Sequence, residues 1–290
     1  MAKKYSRRFF LKRIISSIVG AFLASALGYY YAKYIEPKMI HLTKHTIQHP
    51  LIPSSFNFKK IVQFSDTHVG PFFTIEQLEE VVEKINQTKP DIVLFTGDLL
   101  DEPNKYPFPE TIPPILSKIQ APLGKYCIYG NHDHGGYGTE IYKEIMHQGG
   151  FTLLKNSSAI ISQDGENIVI AGLDDAMLGR PDYTHTFASF SKESLFTILL
   201  VHEPDLAPQS AYHGAHIQLS GHSHGGQIQL PFLGPLVTPP LGSKYYEGTH
   251  TIENLTLFVN KGLGTTRLPF RFLAIPEISV YTLKSPHSKE

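Results

Sequence analysis

Sulfur is the scarcest chemistry in this chain. Among 290 residues there is one cysteine, Cys127, which excludes an intramolecular disulfide and leaves stability to the core or to metal. Net charge is absent as well, with Lys plus Arg and Asp plus Glu at 26 each. Six of the cations, Lys3, Lys4, Arg7, Arg8, Lys12 and Arg13, precede the first apolar run. The remainder is therefore mildly acidic and gives no reason to expect a nucleic-acid partner. No internal repeat or low-complexity tract interrupts the chain. A content of 41% hydrophobic and 18% charged residues is globular and long enough for one large domain behind a terminal segment.

One uncharged run stands out. Residues 14–32, IISSIVGAFLASALGYYYA, follow the basic stretch and contain the small-residue pattern Ala24-Ser25-Ala26, the layout of a cleavable signal. Nineteen residues also suffice for a membrane anchor, since about 20 span a bilayer. The adjacent Arg7 and Arg8 in SRRFFLK fit a twin-arginine address, which carries folded proteins. A plain anchor whose arginines only keep the amino end cytoplasmic is the alternative. Residues 1–35 are thus expected as signal or anchor, 36–57 as linker and 58–290 as the domain. Within the linker His41, His45 and His49 are spaced by four, but Pro37, Pro50 and Pro53 oppose a helix, so solvated histidines are expected rather than a metal face.

The domain opens with a β-branched run at 60–64, an amphipathic helix at 74–89 behind Thr74, and a strand at 91–95. Helices are expected at 110–119 and 139–147, the latter closed by Gly149 and Gly150. This alternation predicts an α/β sheet. The second half changes to strands at 158–163, 167–172, 196–201, 216–219, 255–260 and 278–283, with Asp164-Gly165 as a hairpin turn.

Five apolar strands end in the same kind of residue. IVQF runs into Ser65-Asp66-Thr67-His68, IVLF into Thr96-Gly97-Asp98-Leu99-Leu100-Asp101, and KYCIY into Gly130-Asn131-His132-Asp133. ILLV then runs into His202-Glu203-Pro204 and IQLS into Gly221-His222-Ser223-His224. Neighbouring strand ends converge in α/β sheets and form the natural place for a site. Carboxylate, imidazole and amide oxygen without thiolate are ligands for two divalent metals such as Mn, Fe or Zn. Gly97, Gly130 and Gly221 would let backbone crowd such a site, or are ordinary turn glycines.

Together these blocks, D-x-H, G-D-x-x-D, G-N-H-D, a lone His after a strand, and G-H-x-H, resemble the calcineurin-like metallophosphoesterase superfamily. The wording GNHDHGGYG, LVHEPD, GHSHGGQIQLPF and RLPFRFL, with the leader, is similar to the exported phosphoesterases of Gram-positive envelopes. The resemblance implies two packed mixed β-sheets flanked by helices, a four-layer αββα fold. It implies that Asp66, His68 and His224 hold one metal, that Asn131, His202 and His222 hold a second, and that Asp98 bridges them. His132 would face substrate and protonate the leaving oxygen, Asp133 would orient His132, and Asp101 would accept from a ligand histidine. GDLLD lacks the tyrosine of GDxxY, so no ferric tyrosinate site is expected.

The implied activity is a metal-dependent phosphoric ester hydrolase, most simply a phosphodiesterase, in which two metals activate water as hydroxide against phosphorus. Folding and metal loading before export would avoid competition from copper and zinc outside. The partners implied are a phosphoester substrate, lipid-linked or wall-linked, the twin-arginine translocase, and the cell wall or membrane surface. The alternatives are a UDP-2,3-diacylglucosamine-type pyrophosphate hydrolase and a non-catalytic envelope protein stabilised by metal. The apolar, Pro-rich stretches 225–242 and 263–275 either dip into a bilayer or cover a sheet edge. Arg267 and Arg271 either clamp a second phosphate or pair with acids. His134 is a further candidate for touching substrate, whereas His147, His185, His213 and His216 read as surface or strand-end residues.

Overall fold

The computed structural model describes residues 6–135, 138–190 and 193–286. Lys3 and Lys4 of the basic leader lie outside the described residues. In chain order the elements are α1 (Arg7–Tyr30), β1 (His41–Gln48), β2 (Lys60–Phe64), α2 (Ile75–Gln87), β3 (Ile92–Phe95), α3 (Ile112–Leu116) and β4 (Lys125–Cys127). Then come α4 (Asn131–His134), α5 (Thr139–Gln148), β5 (Thr152–Leu153), β6 (Ser157–Gln163), β7 (Glu166–Gly172), α6 (Tyr183–Phe187) and β8 (Thr197–Leu200). The chain closes with α7 (Ala207–Tyr212), β9 (Ile217–Ser220), β10 (Gln229–Leu230), β11 (Gly234–Pro235), β12 (Gly248–Ile252), β13 (Leu255–Val259) and β14 (Glu277–Lys284).

Two mixed six-stranded sheets form the middle layers, ordered β1-β14-β2-β3-β4-β5 and β12-β13-β9-β8-β7-β6. Between them lies an apolar layer that includes Ile61, Ile92, Leu94, Ile198, Leu200 and Leu219. The outer face of the first sheet is covered by α2, α3 and α5 through Leu78, Val82, Ile85, Leu116 and Met146. The outer face of the second packs on Tyr183 and Ala207 of α6 and α7. Helix, sheet, sheet and helix follow one another, as the resemblance implies.

Local chemistry accounts for most elements. In α2 the Thr74 hydroxyl accepts from Gln77 N–H while the Gln77 amide accepts from Thr74 N–H, a reciprocal cap that starts the helix. Asp164 and Gly165 both take positive φ between β6 and β7, as a two-residue hairpin with primed geometry requires. The helix expected over 110–119 is reduced to α3 behind a 3-10 turn, because Pro113 and Pro114 cannot donate to a longer hydrogen-bonded ladder.

The 36–57 segment is corrected most. Residues of β1 pair in parallel with β14 from His41↔Glu277 to Gln48↔Lys284, so this stretch is an edge strand of the first sheet. His45 stacks on Tyr281 with centroids 5.2 Å apart, and His49 lies 4.4 Å from the His216 ring, so these are not solvated linker histidines. Burial, reinforced by the neighbouring His49, pulls the His216 pKa down to about 4, and burial also lowers that of His49. A folded-state pKa below the unfolded 6.5 means that the unfolded chain takes up the proton first. Stability is therefore whole above pH 6.5 and is lost as pH falls from 6.5 towards 4. The His216→Asn variant is expected to lose less stability than the parent between pH 7 and pH 4.5 in denaturant titrations. Equal losses in both would remove His216 as a cause.

Candidate metal centre

The parallel strands β2, β3 and β4 of one sheet and β8 and β9 of the other deliver their carboxyl ends to one rim. The loops after them are unusual. Asp66, His68, Asp98, His222 and His224 all carry positive φ, between 45° and 69°. Left-handed backbone costs energy in a non-glycine residue and gathers at functional sites. Here it turns five chemistry-bearing side chains into one space. Gly97 is at φ +99°, and a Cβ there would lie 2.7 Å from His202 Nδ1. A Cβ on Gly130 would strike the Asp98 carboxylate, and one on Gly221 would strike Ser65 and Asp66. Close approach, not merely turning, fixes these three glycines.

Two triads result. In the first, His68 Nε2 and His224 Nε2 face each other at 3.0 Å, and Asp66 Oδ1 is 3.6 Å from His224 Nε2. In the second, Asp98 joins His202 and His222. Asp98 Oδ2 lies 3.5 Å from His68 Nε2 and 3.3 Å from His202 Nε2, which sets one oxygen between the triads. All six of these side chains are buried. Asn131 opens α4 and, with Asp98 and His132, lines the adjoining cavity of about 470 Å³.

Backbone carbonyls choose the tautomers. His202 Nδ1–H donates to Thr96 O at 2.7 Å and His222 Nε2–H donates to Pro240 O at 2.8 Å, so in the neutral rings Nε2 of the first and Nδ1 of the second are the electron-pair donors. Among the described residues His202 Nε2 is buried with no hydrogen-bond partner. An orphaned imidazole nitrogen beside carboxylates, in a set without sulfur, fits a divalent cation.

Electrostatics separates the groups. Burial depresses the pKa of His68 to about 3 and that of His222 to about 4, which keeps both imidazoles neutral near pH 7. His224 is pushed well below the usual imidazole value by burial and then by His68. Burial raises Asp66 to about 6. For Asp98 burial acts upward, but His202 and His132 outweigh it and hold the carboxyl well below the usual range. His202 is correspondingly raised by Asp98 against its own burial.

His132 stands at the cavity wall. Its Nδ1–H donates to the Asp101 carbonyl at 2.7 Å and its backbone N–H to Asp98 Oδ1 at 2.8 Å, which leaves Nε2 available to a bound molecule. Burial lowers its pKa, yet Asp98 and the Asp101 carbonyl more than offset this and raise it. The Asp101 carboxylate lies 3.6 Å from His68 Nδ1.

Three expectations change. Asp133 does not orient His132; its oxygens accept from the N–H groups of Asp98, Leu99 and Gly130 at 2.8–3.0 Å, binding the second block to the third. Both oxygens are directed at these backbone donors, and the acceptor that receives His132 Nδ1–H is Asp101 O. His134 donates to Asp174 at 2.8 Å and bonds Thr139, which turns it away from the cavity. Arg271 is completely buried, its guanidinium donating to the carbonyls of Gly264, Ala274 and Lys261 at the back of His224, where it can clamp no phosphate. Arg267 does line the cavity.

Sequence reasoning missed Glu36. It is fully buried and accepts from Ala274 N–H at 2.7 Å beside the guanidinium whose charge it opposes. Its signal was available: Glu36 is the only acid before Asp66.

A mixed-sheet αββα sandwich with two carboxylate–imidazole triads at its rim is the architecture of a metallophosphoesterase. The profile of the calcineurin-like phosphoesterase family matches residues 59–226, and the chain belongs to that family. It is 53% identical over 284 residues to the uncharacterized metallophosphoesterase YkuE of Bacillus subtilis (strain 168), covering 98% of this chain and 99% of that protein. More distant similarity links it to the UDP-2,3-diacylglucosamine pyrophosphatase LpxG of Chlamydia trachomatis, at 27% identity, 91% of this chain and 95% of the other. The phosphodiesterase YaeI of Escherichia coli is 24% identical over 96% of this chain and 99% of its own length.

Proposed function

We propose that this chain is a phosphoester hydrolase using two divalent ions, Mn, Zn or Fe, to cleave phosphodiester or pyrophosphate bonds at the cell envelope. The observation that carries the reading is one Asp98 oxygen set between two buried triads, with His132 on the wall of the adjoining cavity. Asp66, His68 and His224 would hold one ion, Asn131, His202 and His222 the other, with Asp98 shared. Ions held there supply Lewis acidity, drawing charge from phosphoryl oxygens and bringing the pKa of water towards neutrality.

The chain's own residues do the rest. Carbonyls of Thr96 and Pro240 lock the ligand imidazoles as acceptors. Asp133 holds three N–H groups so that the second and third blocks keep their spacing. The upward shift of the His132 pKa favours its protonated form, and Nδ1–H fixed on Asp101 O would direct an Nε2 proton to the leaving oxygen. The leader with Arg7 and Arg8 supports export of the folded protein through the twin-arginine route.

The His132→Asn variant is expected to keep its metal content and to lose about 10²- to 10⁴-fold on a dialkyl phosphodiester, the usual range for a general acid. A nitrophenyl diester, whose leaving group needs no proton, should lose far less. Equal losses on both would remove His132 as the acid, and no turnover by a fully metal-loaded protein would favour a purely structural centre.

Hydrolysis of a glycolipid pyrophosphate of the UDP-2,3-diacylglucosamine type is a second reading. It is supported by the apolar cavity wall of Ile228, Leu236, Val237 and Leu268 and by the similarity to LpxG.

A further inference from the structure

Helix α1 is the one element, among the described residues, long and apolar enough to cross a membrane, and none of its residues is buried. Its apolar side chains point in every direction, with Phe10, Ile18, Phe22 and Leu27 all exposed, as expected of a helix whose solvent is lipid. From Ile14 to Tyr30 it rises about 25 Å at 1.5 Å per residue, close to the hydrocarbon thickness. Its far end carries exposed Tyr29, Tyr30 and Tyr34 with Lys33, the residue types that settle at the membrane–water interface.

That end is fastened to the rim of the cavity. Tyr29 packs on Phe270 at 5.3 Å and Tyr31 on Phe272 at 6.2 Å, Arg271 N–H donates to Ala32 O at 2.9 Å, and Glu36 accepts from Ala274 N–H. The same segment supplies Thr266, Arg267 and Leu268 to the cavity. It also binds the next rim element, since Gln229 N–H donates to Phe272 O and Phe272 N–H to Gln227 O. That element is the β10–β11 hairpin, whose turn is Pro231-Phe232-Leu233. Phe232 is wholly exposed and Leu233 80% exposed. Hairpin turns ordinarily carry Gly, Asn or Asp, so an apolar tip beside an interfacial helix end calls for an apolar occupant.

We infer that the cavity mouth rests on the bilayer, with the Phe232-Leu233 tip in the acyl region. The substrate is an amphiphile whose phosphoester head enters the cavity while its hydrocarbon remains in the membrane. The substrate part of this inference rests on the hydrolase reading; the docking part stands alone. It turns three neighbouring features into one surface: the helix sets the depth, the docked 266–274 segment sets the tilt, and the hairpin tip meets the lipid that the helix end has reached.

The chain contains no tryptophan, so Phe232→Trp in the full-length protein provides a single emitter. In phosphatidylglycerol–phosphatidylethanolamine vesicles its emission should shift to the blue and be quenched by about half by acyl-brominated lipid. Tyr212→Trp, an exposed position that leads to the opposite end of β9, should be unaffected. Emission at position 232 that is unquenched, whether in water or shielded by another protein copy, overturns the docking. With Mn²⁺ supplied, the double variant Phe232→Asp, Leu233→Asp should cleave hexadecyl nitrophenyl phosphate in vesicles at least about tenfold more slowly, from the lost burial of two apolar side chains. Its rate on methyl nitrophenyl phosphate should stay within about twofold, since neither residue lines the cavity. Equal change on the two esters overturns the amphiphile assignment. Failure of the parent to cleave either ester would sink the hydrolase reading, while the quenching result would still decide the docking.

Discussion

Exchange of Asp98 for asparagine is expected to leave the chain folded and to cut kcat/KM for a nitrophenyl diester by about 10³-fold, or ~4 kcal/mol in the barrier. The fold should survive because an amide oxygen can still accept from His132 N–H at the position of Oδ1. Function should not, because the oxygen between His68 and His202 becomes either neutral or an N–H donor facing imidazole nitrogens. Elemental analysis is expected to show metal per chain falling by at least half. A variant retaining two ions and near-parental turnover would remove Asp98 as the shared ligand. Asp133→Asn is the informative contrast, since it touches only backbone N–H groups and should lower stability more than it alters metal content.

The second large effect is expected at Arg271. Replacing it with methionine strips charge-assisted hydrogen bonds from three carbonyls and removes the positive charge that acts on the buried carboxylates of Asp66 first, then Glu36 and Glu277. Burial lowers the arginine's pKa only to about 10, so the guanidinium is charged at neutral pH. Leaving a buried acceptor without its donor costs about 1–3 kcal/mol for each group. Thermal unfolding in detergent should therefore show a drop of many degrees. Adding Glu36→Gln to Arg271→Met should recover part of it, because the second change removes the stranded charge. If the double variant is no better than the single one, Arg271 acts through its carbonyl contacts and not through Glu36.

The chemistry of the site was more legible than its carpentry. Strand ends could be read because buried parallel strands are short apolar runs, and the residues directly after such a run must lie at a sheet edge. Asp66, Asp98, His202, His222 and His224 could therefore be gathered from spacing alone. The direction in which a side chain points could not. Asp133 stands three residues after Gly130 at the start of α4, an N-terminal position where an acid caps backbone donors; its proximity in sequence to His132 suggested a partnership that the helix start overrules. β1 escaped notice because HLTKHTIQ is an edge strand with a single fully buried residue, Ile47. Its partner β14 lies more than 230 residues further on, so no local pattern announces the pairing. The surroundings of Glu36, and the choice between the two readings of Arg271, could not be read for the same reason, since both depend on the two ends of the chain meeting.

That meeting has a practical side. Because β1 lies on β14 and Ala32 receives a bond from Arg271, a peptidase acting after Ala26 would release an intact enzyme, whereas a laboratory truncation starting at residue 58 would peel away a strand. The bared β14 would then offer its unpaired backbone to other copies, and insoluble aggregates would be the natural product of so late a start.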